Sequence, residues 1–272
     1  MNSPVESAIA HMWERYSEPL SLADIAKSAI LSRFHFCRVF REATGVSPGR
    51  FLSAVRIYQA RRLLASSAMS VTEISLAVGY NSLGSFTNHF TDSVGISPSR
   101  FRRMWAEGLR EVPAAAAAPD GTGAVTGLIE LPPGYALARA YVGVFPTPLI
   151  QRRPFAWEIL DVTTDEPVSY SLGNVPPGTW YVKAVAEADS SDPEPWTRRS
   201  LLVGGHGMVS VNAGSVSQRD IALRTRRPTD LPILFAVPSL TRTDSRRGTI
   251  PAVPGAERPY LAELAAAGEH IA

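Results

Sequence analysis

The chain has 272 residues, 45% of them hydrophobic and 19% charged, with a formal net charge of +2, which is enough apolar material for one or two buried cores. A single cysteine, Cys37, excludes an intrachain disulfide and a thiolate zinc site of the usual kind. The N-terminal MNSPVESAIA has no charged n-region followed by an apolar run, and no apolar stretch reaches membrane-spanning length, so the expectation is a cytoplasmic protein with no membrane partner.

Charge is unevenly placed. Residues 1–111 hold 13 Lys+Arg and 9 Asp+Glu, hence +4, and the remainder holds 14 and 16, hence −2; together they make the +2 of the whole chain. The basic excess lies on the N-terminal part, as a phosphate-binding surface requires.

That part is predicted to be all helix. Ser3, Pro4 and Glu6 supply an N-cap, a first-turn proline and an acid at the third position, and Ser21 with Asp24 and Ser70 with Glu73 repeat the capping-box spacing. Ser47-Pro48 and Ser97-Pro98 mark two more starts. With Val5, Ala8, Ile9, Met12, Trp13 and Tyr16 on one face of the first, seven helices are expected, at about residues 4–16, 22–28, 32–44, 48–66, 71–78, 82–94 and 98–107.

The helices contain a duplication. Phe36/Phe86, Phe40/Phe90, Gly45/Gly95, Pro48/Pro98, Arg50/Arg100 and Phe51/Phe101 are each offset by 50, whereas Ser21/Ser70 and Ile25/Ile74 are offset by 49. One extra residue therefore falls in the second copy's turn between two short helices. A short helix, a tight turn and a second helix with an apolar seam make a helix-turn-helix, and two in tandem place two readers on double-stranded DNA. At about 100° per residue, Phe36, Val39, Phe40 and Ala43 form the inward stripe of the first reader. Phe34, Cys37, Arg38 and Arg41 then face out, with Arg33 at the edge. In the second, Phe86 and Phe90 face in, and Gly84, Thr87, Asn88 and Thr91 face out. The joining helix, about 28 Å long at about 1.5 Å per residue, approaches the roughly 34 Å between successive major-groove openings.

The runs LADIAKSA, CRVFREATGVSP, RIYQARRLL, IxxxVGYxSxxxFxxxF and GISPSRFRR, between about Leu20 and Arg103, resemble the DNA-binding domain of the AraC/XylS family. The resemblance implies two helix-turn-helix units joined by a long helix, and a transcription regulator, an activator, with RNA polymerase as a partner. It carries base contact to Arg33, Phe34, Cys37 and Arg38, and to Leu83, Ser85, Thr87 and Asn88. Two departures stand out: Asn88 and Thr91 occupy positions where family members often carry Arg and Lys, and the DNA-binding domain here precedes whatever senses or assembles. Asn88 can still pair with adenine, and Leu or Thr methyls can meet the thymine methyl.

Residues 112–123 form a linker rich in Ala, Pro and Gly. Beyond it TGLIEL, LARAYVGVF, PFAWEIL, VSYSL, TWYVKAVAEA, RSLLVGG, MVSVNAG and RDIALR predict short strands separated by turn clusters such as LPPGY, VPPGTW and GGHG. The expectation is an antiparallel β-sandwich of seven or eight strands over 124–240. Its PPG turns resemble the transthyretin-like or carboxypeptidase-regulatory-like sandwich, which implies a binding or assembly module. Phe155, Trp157 and Ile159 alternate as a core face, while Tyr181 and Lys183 alternate on the side opposite Trp180 and Val182 and read as exposed; the aromatic residues of this half are either core packing or a ligand or partner surface. LPILFAVPSL reads as an edge strand, 241–258 as a mobile stretch, and the end of the 241–272 tail as a short helix.

Catalytic and metal sites find no support. His11, His35, His89, His206 and His270 never show ligand spacing, Gly204-Gly205-His206-Gly207 lacks the strand-to-helix setting of a phosphate loop and reads as a tight turn, and Asp165-Glu166 sits in a turn. No cofactor is expected. The reading is a multi-domain α and β chain, not an enzyme, whose second domain binds a small-molecule effector or forms a homodimer. A weakly specific nucleoid-type or adaptor protein is the other reading.

Overall fold

The computed structural model describes residues 3–107, 122–151, 154–190 and 199–234. Among these, one compact unit comprises 3–107 together with 145–151, 154 and 227–234, and a second comprises 122–144, 155–190 and 199–226.

The first unit contains α1 (Pro4–Glu14), α2 (Leu22–Ser28), α3 (Arg33–Thr44), α4 (Pro48–Ser66), α5 (Val71–Ala77), α6 (Leu83–Val94) and α7 (Pro98–Ala106). A serine caps the start of each: Ser3, Ser21, Ser32, Ser47, Ser70, Ser82 and Ser97 all accept the N–H of the third helical residue. Ser3/Glu6, Ser21/Asp24 and Ser70/Glu73 are complete capping boxes. The Asp24 and Glu73 carboxyls lie below their ordinary range because Ser21 and Ser70 donate to them through hydroxyl and backbone.

The duplication is visible in space as well as in sequence. α2 and α5 are each 7 residues and α3 and α6 each 12, and the extra residue of the second copy lies between α5 and α6. Phe36, Phe40 and Phe51 stand 5.3 and 5.5 Å apart between ring centroids, and Phe86, Phe90 and Phe101 stand 5.7 and 5.8 Å apart, two copies of one aromatic ladder. α3 and α6 both end on a left-handed glycine, Gly45 and Gly95. The inward stripe of α3 runs Phe36, Phe40, Thr44; contrary to the wheel assignment, Ala43 is exposed and Val39 only half-buried. The stripe drifts because 3.6 residues per turn brings position 44, not 43, under Phe40.

α4 is the hub. Phe51, Leu52, Ala54, Val55, Ile57, Tyr58, Ala60, Arg61 and Leu64 bury it on nearly every side. Arg56 ties it to the α1–α2 connection, donating 2.7 Å bonds to the Tyr16 and Glu18 carbonyls, and Arg102 of α7 donates to the Met69 carbonyl ahead of α5. Residues 145–151 and 227–234, which lie in the predicted β-domain by sequence, complete this unit. Phe145, Leu149, Ile150, Ile233 and Leu234 are buried, the Leu234 N–H donates to Ile150, and Arg61 donates to Ile233.

The second unit has nine strands: β1 (Gly123–Glu130), β2 (Tyr135–Phe145), β3 (Trp157–Thr163), β4 (Val168–Val175), β5 (Gly178–Ser190), β6 (Arg199–Val211), β7 (Val216–Gln218), β8 (Ile221–Ala222) and β9 (Arg224–Thr225). One sheet orders β4-β1-β7 with β8 also on β1, and the other β3-β2-β5-β6-β9. Their inner faces share one core that includes Val125, Ile129, Val142, Tyr170, Leu172, Trp180, Val182, Leu202 and Val209. Both PPG turns launch strands, β2 and β5, and the indole N–H of Trp180 closes the second by donating to the Pro176 carbonyl at 2.8 Å.

Three expectations change. The Gly204–Gly207 stretch is not a turn: β6 runs through it, and one residue of β5, Val182, faces positions 206 and 207 in a bulge. Gly205 is required there, at φ +147° and with the Val182 carbonyl 2.4 Å from where a Cβ would sit. β7 and β8 join β1 in parallel, whereas β1–β4, β2–β3, β5–β6 and β6–β9 pair antiparallel. Phe155 is 42% exposed and Trp157 and Ile159 are half-buried, so the core takes Ala156 and Val162 instead. Phe155 and Trp157 are held by other rings, Trp180 at 4.5 Å and Tyr141 at 5.7 Å. The predicted terminal helix and the stretch from 235 onward lie outside the described residues.

Candidate nucleic-acid interface

Burying the aromatic ladder dictates what the other side of each second helix presents. On α3, with Phe36 and Phe40 fully buried, Arg33, Phe34, Arg38 and Arg41 are exposed and Cys37 is half-buried at the margin. Phe34 is 87% exposed, a large apolar ring held in water by the helix phase. On α6, Leu83, Ser85 and Asn88 are exposed and Thr87 is half-buried, beside exposed Gly84 and Thr91. The nine sequence-predicted residues therefore fall into two sets, five on α3 and four on α6.

The electrostatics of the two sets differ. α3 presents three guanidiniums, whereas α6 carries no Lys or Arg. Arg38 is not idle: its Nη1 donates to Glu42 Oε1 at 3.0 Å, and its Nη2 lies 3.3 Å from His35 Nδ1. Both partners of the ion pair are well exposed, so it stabilises by only about 0.3–0.5 kcal/mol. Glu42 and His35 are neighbours that the sequence reading passed over. The i,i+4 and i,i+3 spacings to Arg38 were the available signal.

The turns between the paired helices differ in strain. Ile30, at φ +57°, and Gly79, at φ +83°, occupy equivalent positions, Gly79 two residues before the inserted Asn81. Glycine is enforced in the second copy, where a Cβ would meet the Ser17 carbonyl oxygen at 2.8 Å. The first copy carries a β-branched residue in the left-handed region, 92% exposed.

Among the described residues no helix is long and apolar enough to cross a membrane, and no group of three or more His, Cys, Asp or Glu could hold a metal ion.

A family model described as a helix-turn-helix domain matches residues 25–104, which contain all but the first turn of the duplicated unit. Those residues are an AraC-type helix-turn-helix domain. An uncharacterized HTH-type transcriptional regulator of Haemophilus influenzae is 42% identical over 82 residues, 30% of this chain and 28% of that protein. The lactose operon transcription activator of Staphylococcus xylosus is 30% identical over 106 residues, 39% of this chain and 38% of that protein. Among solved structures, the DNA-binding domain of AdpA in complex with a target DNA is 32% identical, covering 40% of this chain and all of that one, with a TM-score of 0.38. The AraC-type match thus spans only about a third of the curated relatives' length, and it falls on the helical part of this chain.

Proposed function

We propose that this chain is a sequence-specific transcription regulator, an activator, that reads two successive major-groove segments with α3 and α6. The observation that carries this reading is the duplicated aromatic ladder, which turns two equivalent helix faces, Arg33/Phe34/Cys37/Arg38/Arg41 and Leu83/Ser85/Thr87/Asn88, away from one core. α4 sets the spacing: 19 residues at about 1.5 Å each give about 28 Å, close to the roughly 34 Å of one helical turn of DNA. A relative bearing this domain type is an operon activator, in line with a role at promoters and a contact to RNA polymerase. On this reading the β-unit serves effector binding or self-association, and the chain acts as a regulator rather than as an enzyme.

Genome-wide mapping of bound sites, followed by titration against competitor DNA, tests this. A regulator prefers its own site by about a thousandfold or more. Binding that is equally tight to bulk DNA would favour the nucleoid-type or adaptor reading instead. Light-scattering masses of the full chain and of residues 1–111 test assembly, with a full-chain dimer and a monomeric fragment as the expected result.

A further inference from the structure

α6 has a second flank that the reading face does not use. Beside it, within the helical unit, lies a cleft of about 340 Å³, within the range of small-molecule sites. At about 100° per residue, the cleft-lining His89, Asp92 and Ser93 lie about 140° around α6 from Gly84, Thr87, Asn88 and Thr91. The opposite wall is the first turn of α4, with Arg50 and Ser53, and Gln151 closes a third side. Leu149 and Leu234 supply apolar surface.

The internal repeat gives a comparison for this flank. Equivalent positions 50 residues earlier carry Val39 and Ala43 where α6 carries His89 and Ser93. The buried ladder is the same in both copies, so the core does not call for this change. It converts an apolar flank into one bearing an imidazole and a hydroxyl where the cleft lies.

We propose that this cleft binds a small hydroxy- or amino-carboxylate, with the ligand's carboxylate on Arg50 and its hydroxyl or ammonium group on Asp92. Among the described residues no ion pair engages the Arg50 guanidinium. Arg50 also stands in the first turn of a 19-residue helix, where the dipole adds positive potential. Ser53, Ser93, His89 and Gln151 provide the donors and acceptors that orient a polar ligand, and Asp92 discriminates against a ligand that is anionic throughout. The site stands whether or not α3 and α6 read bases, since ligand titration requires no DNA.

The test is calorimetric titration of the full chain with L-malate and L-glutamate, with inorganic phosphate and propane-1,2-diol as comparisons. One of the two acids is expected to saturate with a Kd between about 10 μM and 1 mM, at least about tenfold tighter than either comparison compound. Arg50→Gln is expected to weaken that binding at least about tenfold and Gln151→Ala about two- to fivefold, with Arg103→Gln, on an exposed position of α7, leaving it unchanged. Arg50 and Gln151 are not core residues, and circular dichroism confirms that each variant is folded. No saturation by either acid below about 10 mM, phosphate binding as tightly, or undiminished binding by folded Arg50→Gln each overturns the proposal.

Discussion

The Nη1 of Arg61, in the third quarter of α4, donates to the carbonyl of Ile233 at 2.5 Å, across 172 residues of sequence. The same guanidinium lies 5.4 Å from the ring centroid of Phe101, and Arg61 is 3% exposed. A cation so deeply placed is stable when acceptors and an aromatic face replace its water. One side chain thereby holds together α4, α7 and a segment far along the chain. Arg61→Met keeps the apolar stem but removes the donor, and is expected to lower stability by about 2 kcal/mol, as read by urea unfolding followed by tryptophan fluorescence.

A fragment of residues 1–111 keeps all seven helices and their caps and is expected to fold and to bind DNA. It also lacks Leu149, Ile150, Ile233 and Leu234, which are buried in the helical unit, and the acceptor of Arg61. Its stability is expected to rise by about 2 kcal/mol or more when 145–151 and 227–234 are present. Chemical denaturation of the fragment, compared with the helical transition of the full chain, measures the difference; equal midpoints would show that the two segments contribute nothing.

Ile30 and Gly79 make a matched pair of backbone tests. Gly79→Ala adds a Cβ against the Ser17 carbonyl at a positive φ and is expected to cost about 2 kcal/mol or more. Ile30→Gly relieves a β-branched residue in the left-handed region at an exposed site and is expected to stabilise by about 0.5 kcal/mol, the strain relief being partly offset by glycine's unfolded-state entropy. Thermal melts of both variants check the opposite signs.

The capping boxes impose a pH dependence. The Asp24 and Glu73 carboxyls have folded-state pKa values below their unfolded ones, so both favour the folded state above the ordinary carboxylate range. That contribution is complete above about pH 5 and is lost as pH falls through about 4 and below, where the carboxylates protonate. Asp24→Asn and Glu73→Gln are expected to flatten this acid limb of the melting temperature and to leave the neutral-to-alkaline limb parallel to the parent.

On DNA, Arg38→Ala is expected to cost about 1–3 kcal/mol and to relax a preference for guanine, and Asn88→Ala is expected to cost less and to act at an adenine. Glu42→Gln removes the carboxylate that Arg38 now engages at 3.0 Å and is expected to tighten binding about two- to fivefold. Titrations on base-substituted sites decide: losses independent of sequence would assign these residues to the phosphate backbone instead.

What the sequence alone determined is what local chemistry controls. Seven helices, five of their seven serine caps and the one-residue insertion between α5 and α6 are set by interactions reaching no more than four residues, so composition and spacing reveal them. The outward faces of α3 and α6 followed from the spacing of their phenylalanines. Tertiary structure decided the rest, because each remaining feature joins residues far apart in the chain. Gly204–Gly207 reads as a turn in isolation and becomes a bulged strand because β5 pairs through it. β7 is too short to announce itself, and the single strand read in RDIALR is divided, β8 pairing with β1 and β9 with β6. Arg61 looks like a surface residue of a basic helix until Ile233, Phe101 and the rest of α4 enclose it, a burial that no local pattern encodes.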